Sequence, residues 1–307
     1  MIDKVELLRK LDLIATEDVT LSTIIETLKE GQSRTLRFEQ DNLPILTLQD
    51  GIEFYWDRHD PRTAVSCLVV QGFYEKIETV VLKHFAKLGG SVIDIGANVG
   101  YYALVLGSEM SGKNKLIAIE ANPRVYSNLK KNITLNSMHD KVILENLLLS
   151  DKEELVKFYE PISSGSSAAS LRNLHPEEES VIQYIASVRL DDLKSLNNLD
   201  CVNLIKIDVE GAELEVIKGA LEIIKLHTPV IFVELLRKWS KAFGYHPNDV
   251  LNLLKDLGYQ AYEVNIDLTP IEQIDELTIS TNFLLLQDNE KNRNSIKHLR
   301  SELIKIS

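Results

Sequence analysis

The chain has 307 residues, enough for one large α/β domain with an appendage or for two modest domains, and its 44% apolar content supports a sizeable core. Asp and Glu number 46 against 34 Lys and Arg, and the resulting net charge of −12 repels phosphate backbones and argues against nucleic acid as a partner. Cys67 and Cys201 lie far apart with no CxxC spacing, so the expectation is a reduced, cytoplasmic protein without disulfides.

The opening MIDKVELLRKLDL is charged throughout and does not read as a signal peptide, and no stretch approaches the ~20 apolar residues of a membrane span. Ile2, Val5, Leu8, Leu11 and Ile14 recur at helical spacing, and Thr20 to Glu30 continues as helix up to a stop at Gly31. From Arg34 to Trp56 the pattern changes to the short β-prone runs RTLRF, PILTL and IEFYW, with Gln49-Asp50-Gly51 as a turn. Residues 1–60 are therefore expected to form an N-terminal cap of helices and a β-hairpin, 61–290 the main domain and 291–307 a helical tail.

From Ser91 the chain alternates. SVIDIG, KLIAIEA and VILENLLLS read as strands, separated by the helical YYALVLGSEM and RVYSNLKKNITLN. Later come VNLIKIDV (strand), AELEVIKGALEIIK (helix), PVIFVEL (strand), HPNDVLNLLKDLG (helix) and the strands YQAYEV and TNFLLLQ. Unbroken apolar runs such as VIDI, LIAI, LIKI and VIFV are the mark of parallel strands buried on both faces, which makes the expected class α/β. Residues 161–180, PISSGSSAASLRNLHPEEES, have no periodicity and read either as a surface loop or as a lid over a cleft.

In open α/β sheets ligands bind at the carboxyl ends of the strands. The first of these strands ends Asp94-Ile95-Gly96-Ala97-Asn98-Val99-Gly100, where glycines let the backbone approach a ligand. The second ends in Glu120, followed by Ala121-Asn122-Pro123, and a carboxylate there can accept both hydroxyls of a ribose. GANVG departs from the GxGxxG of dinucleotide sites, and Asp94 would repel a pyrophosphate yet suit an ammonium group, so a ribose ligand with a cationic amino-acid tail, S-adenosylmethionine, fits better. The segment Leu147 to Asp151, including Ser150, flanks the adenine in this reading. The strand LIKI ends in Asp208-Val209-Glu210, and PVIFVEL puts Glu234 at the next tip. Glu213 and Glu215 are read as favouring a helix N-terminus, and Gly219 as a close-packing position.

VIDIGANVGYYAL, IAIEANP, VRLDDL, IKIDVEGAELEVIKGAL and PVIFVEL resemble the FkbM family of S-adenosylmethionine-dependent methyltransferases over residues 70–287, and GFYEKIET at 72–79 resembles the family's tyrosine–glutamate lead-in. The resemblance implies a class I, Rossmann-like fold: a seven-stranded, mostly parallel sheet with helices on both faces and an antiparallel last strand, here TNFLLLQ. It also implies O-methylation of a sugar, glycan or natural-product hydroxyl, with cofactor-binding roles for Asp94, Gly96, Asn98, Gly100 and Glu120, and places Tyr74 and Glu75 over the methionine end; Ala97, Ala121, Asn122 and Asp208, beside those residues at the strand tips, are further candidates for cofactor binding.

Methyl transfer to an alcohol needs alignment of the nucleophile and a base for its proton. Asp208 is the first candidate, with Glu210 and Glu234 sharing that role or, alternatively, the three holding Mg²⁺; no metal is the preferred reading. His175, in the Ser-rich loop with Arg172, is a further candidate base, ahead of His59 and His246. The rival reading is a non-catalytic S-adenosylmethionine-binding or scaffold protein that docks through its N-terminal helices and the stripe Ile296, Leu299, Leu303 and Ile306, a stripe otherwise explained by core packing or a homodimer contact.

Overall fold

The computed structural model describes residues 31–37, 43–57, 60, 62–162 and 168–306; the helices expected over 2–14 and 20–30, and His59, lie outside them. The first described strands are β1 (Ser33–Arg37), β2 (Ile45–Leu48) and β3 (Glu53–Tyr55), an antiparallel sheet that turns at residues 49–51. Helices α1 (Ala64–Gln71) and α2 (Lys76–Lys87) follow, then β4 (Ser91–Ile95), α3 (Tyr101–Glu109), β5 (Leu116–Ile119), α4 (Pro123–Leu135) and β6 (Val142–Glu145). A short β7 (Leu148–Leu149) leads into the ribbon β8 (Glu154–Pro161) and β9 (Ser180–Val188). The second half runs β10 (Val202–Ile207), α5 (Glu213–Lys218), α6 (Leu221–His227), β11 (Val230–Glu234), α7 (Arg237–Ala242), α8 (Pro247–Lys255), β12 (Tyr259–Glu263), β13 (Thr269–Ile271), β14 (Asn282–Gln287) and α9 (Glu290–Leu303).

The main sheet has the order β13-β12-β14-β11-β10-β4-β5-β6. Strands β6, β5, β4, β10 and β11 pair in parallel, and β14 runs antiparallel between β11 and β12. It thus has eight strands rather than the seven expected. Thr269–Ile271, too short to carry a periodic signal, adds an edge strand to β12. Successive side chains alternate between two cores, as period-2 geometry requires. Val92, Leu116, Leu204 and Phe232 pack with α2, α3, α4 and α9, and Ile93, Ile95, Ile205, Ile207 and Val233 pack with α5, α6 and α8.

Other sequence expectations are refined. VILENLLLS is two strands in different sheets, because β7 leaves β6 to pair with β9. AELEVIKGALEIIK is two helices: a Cβ on Gly219, which closes α5, would lie 2.1 Å from the Ser150 carbonyl. The β8–β9 ribbon was not anticipated, since Leu155, Ile182 and Tyr184 are exposed and blur the alternation. On α9, Ile296, Leu299 and Leu303 are buried in the core while Ile306 beyond it is 42% exposed. No helix among the described residues is long and apolar enough to cross a membrane.

Candidate active site

The strand order reverses between β4 and β10, and parallel strands leave a crevice at such a point. A cavity of about 360 Å³ opens there, at the carboxyl ends of β4, β5, β10 and β11. Its first wall is the loop after β4. Gly96 has φ 76°, and a Cβ on it would lie 1.8 Å from the Asp208 carbonyl, so only glycine lets the loop pass the tip of β10. Next to it Glu120 is buried at the end of β5 and accepts N–H bonds from Asn98 (2.9 Å) and Asn122 (2.8 Å). Burial pushes its carboxyl up to about 7, against the pull of those two donors. Leu147, Leu148, Leu149, Phe158 and Ala168 form an apolar wall beside it.

The charged floor is set by register. Asp94 on β4 and Lys206 on β10 are Cα partners in a parallel pair, so their side chains share one face. Lys206 Nζ lies 3.5 Å from Asp94 Oδ1, 3.3 Å from Asp208 Oδ2 and 5.3 Å from the centroid of the Tyr102 ring. Burial acts to lower the pKa of the ammonium, but the charges of Asp208, Asp94 and Glu75 outweigh it and hold the group above its ordinary range. Burial raises the Asp94 carboxyl, which Lys206 opposes. Glu75, in the left-handed region (φ 40°) at the start of α2, accepts a hydrogen bond from the Tyr102 hydroxyl, and burial pushes it up to about 7.

The strand tips complete the site. Burial, followed by the charges of Asp208 and Glu210, pushes Glu234 up to about 10. Glu210 rises to about 8 by burial and the Asp208 charge, opposed by Arg62. The strand ends at Ile207, and Glu210 reaches the cavity through a left-handed turn (φ 53°) rather than by strand alternation. Ser170 donates to the Glu210 carbonyl (2.8 Å) and ties the described end of the Ser-rich segment to the β10 tip. His175 from that segment is buried, lies edge-on to Trp239 at 5.4 Å and lines the cavity. Among the described residues, His84–His298–Glu302 and His175–Glu177–Glu178 are the sets whose donor atoms lie within 4.8 Å of one another; Asp208, Glu210 and Glu234 do not form one.

Of the residues singled out by sequence, Glu75, Gly96, Ala97, Asn98, Glu120, Ala121, Asp208, Glu210, Glu234 and His175 line the cavity. Four do not. Asp94 is fully buried behind Lys206, so it meets that cation rather than the cavity. Gly100 caps α3, where a Cβ would press on Leu129 at 2.6 Å. Asn122 caps α4 and donates to Glu160, and Ser150 Oγ turns to Asp151. His246 caps α8 in a capping box, and Glu213 is buried, accepting from Gly211 N–H and Tyr245 OH. Sequence reasoning missed Lys206, Arg62, Phe158 and Trp239. Only Lys206 left a signal, a charge inside an otherwise apolar strand.

The sheet order, with β14 reversed between β11 and β12, and the cavity at its switch point define a class I methyltransferase fold. The family model described as the methyltransferase FkbM domain matches residues 94–261, more than half of the chain, and the chain belongs to that family. It is 28% identical over 251 residues to methyltransferase sdnD of Sordaria araneosa, covering 71% of this chain and 90% of the relative. It is 30% identical over 163 residues to the hexuronic acid methyltransferase AglP of Haloferax volcanii (53% of this chain, 60% of the relative). Over 159 residues it is 26% identical to the 2-O-methyltransferase NoeI of Sinorhizobium fredii (48% and 64%). The protein is a methyltransferase.

Proposed function

We propose that this methyltransferase uses S-adenosylmethionine to methylate a hydroxyl of a sugar, glycan or natural-product acceptor. The observation that carries the reading is the meeting of Asp208, Glu210 and Glu234 at the strand tips, in the cavity that Gly96 and Glu120 also line. The names of AglP and NoeI support a carbohydrate or hydroxyl acceptor. The residues present fit the cofactor. Gly96 leaves a backbone cradle that any Cβ would fill, and each Glu120 oxygen keeps lone-pair capacity for a ribose hydroxyl beyond its one N–H bond. Leu148 and Phe158 offer an apolar face, and the surplus of carboxylates suits a cationic ligand. When bound, S-adenosylmethionine supplies a methyl group on a sulfonium. The chain's part is to align the acceptor, exclude water and take the hydroxyl proton onto Asp208, which lies 3.3 Å from Lys206 Nζ.

Calorimetry with S-adenosylmethionine, with NAD as control, tests the site. Glu120→Ala removes two charge-assisted hydrogen bonds to the ribose, each worth roughly 1.5 kcal/mol, and is expected to weaken binding about 10²-fold. A folded wild type that does not bind would overturn the reading.

The raised carboxyls also set a pH trend. Glu75, Glu120 and Glu213 ionise at about 7, Glu210 at about 8 and Glu234 at about 10 in the folded chain. In the unfolded chain each ionises near 4.3. Below that value both states are protonated and the stability is fully present; as pH rises toward the folded values the unfolded state loses protons first and is favoured. The urea midpoint of the ligand-free protein is therefore expected to fall steadily between pH 5.5 and 9. S-adenosylmethionine, whose sulfonium stays cationic across that range, should restore more of it at pH 9 than at pH 5.5. A midpoint that is flat or rises across that range contradicts the assignment.

A further inference from the structure

Outside the cavity lining, α2 and α9 pack side by side, and their contact carries a second cluster that methyl transfer does not use. His84 comes from the last turn of α2, and His298 and Glu302 stand four residues apart on α9. The His84 and His298 rings stack at 5.3 Å with an interplanar angle of 28°, and His298 Nε2 lies 3.7 Å from Glu302 Oε2. One donor atom from each of the three side chains falls within 4.8 Å of the others. An independent observation points to a missing ligand: His84 Nε2 is buried and has no hydrogen-bond partner among the described residues.

We propose that His84, His298 and Glu302 form a binding site for a divalent transition metal of the Zn²⁺ type. Two imidazoles and a carboxylate are the donor set that Zn²⁺ takes with a fourth position left to water, whereas Mg²⁺ and Ca²⁺ select oxygen ligands. A tetrahedral shell with bonds of about 2.0–2.1 Å brings donors to roughly 3.3 Å of one another, so the cluster must tighten. The side chains of His298 and Glu302 are 65% and 45% exposed and can turn inward. The metal would satisfy the buried nitrogen and clamp the C-terminal helix to α2.

The test uses the untagged, chelator-treated full chain, titrated with Zn²⁺ in a calorimeter and followed by thermal unfolding, with Mg²⁺ as control. The expected result is one ion per chain and a Tm raised by about 5 °C at a hundredfold excess over Kd. His298→Ala lies on an exposed edge and should fold normally while weakening binding at least tenfold; Glu302→Gln should weaken it less. Absence of heat and of a Tm shift overturns the proposal, as does Zn²⁺ binding that His298→Ala leaves unchanged. Binding lost instead in His175→Ala would place the ion at the His175–Glu177–Glu178 cluster and overturn it equally.

Discussion

Lys206→Met is expected to destabilise the protein by about 3–5 kcal/mol and to abolish methyl transfer, because it leaves buried carboxylates without their cation. Asp94 is fully buried, and Lys206 Nζ, 3.5 Å from Oδ1, is the charge that answers it. The same ammonium lies 3.3 Å from Asp208 and above the ring of Tyr102. Methionine keeps the length and apolar stem of the side chain, so the loss reports on charge rather than on a cavity. The partner variant Asp94→Asn relieves the stranded charge, and the double variant Asp94→Asn/Lys206→Met should be more stable than Lys206→Met alone. Urea denaturation of the four proteins gives the coupling energy directly. Equal losses that simply add would show that the two groups do not interact and would remove Lys206 from the account of the site.

Asp208→Asn is expected to lower turnover by about 10²–10⁴-fold, the usual worth of a positioned base, while S-adenosylmethionine still binds within a few-fold of wild type. The neighbouring carboxyl should behave differently. Burial and the charges of Asp208 and Glu210 push the Glu234 carboxyl up to about 10, so it keeps its proton at neutral pH. Glu234→Gln preserves a neutral donor of the same shape and should retain most of the activity. The contrast is the test, measured as kcat and KM for the same acceptor. A severe Glu234→Gln beside a mild Asp208→Asn would exchange the two roles, and no effect from either would place the base elsewhere, with His175 next in line.

Much of this protein is legible in local sequence. Parallel strands buried on both faces must be apolar throughout, so VIDI, LIAI, LIKI and VIFV announce a parallel α/β sheet without reference to one another. Strand ends are marked where polarity returns, which is why Gly96, Glu120, Asp208 and Glu234 can be picked out and why they do line one cavity. The reading weakened where a residue has two uses. Gly100 and Asn122 sit inside the motif but cap helices, Ser150 packs against Gly219, and none of the three lines the cavity. The β8–β9 ribbon escaped notice because its outward face carries Leu155, Ile182 and Tyr184, and without polar–apolar alternation a strand has no periodic signal.

Sequence by itself determined the strand–helix alternation, the glycine turn and the acidic strand tips, because each is dictated by a residue's own backbone and nearest neighbours. Only the tertiary structure decided that Asp94 faces Lys206, that Trp239 and His175 close the cavity from two distant segments, and that His84 meets His298. Those pairings depend on strand order, register and helix docking. Such contacts join residues far apart in the chain, and nothing in either local stretch specifies which partner the fold will bring to it.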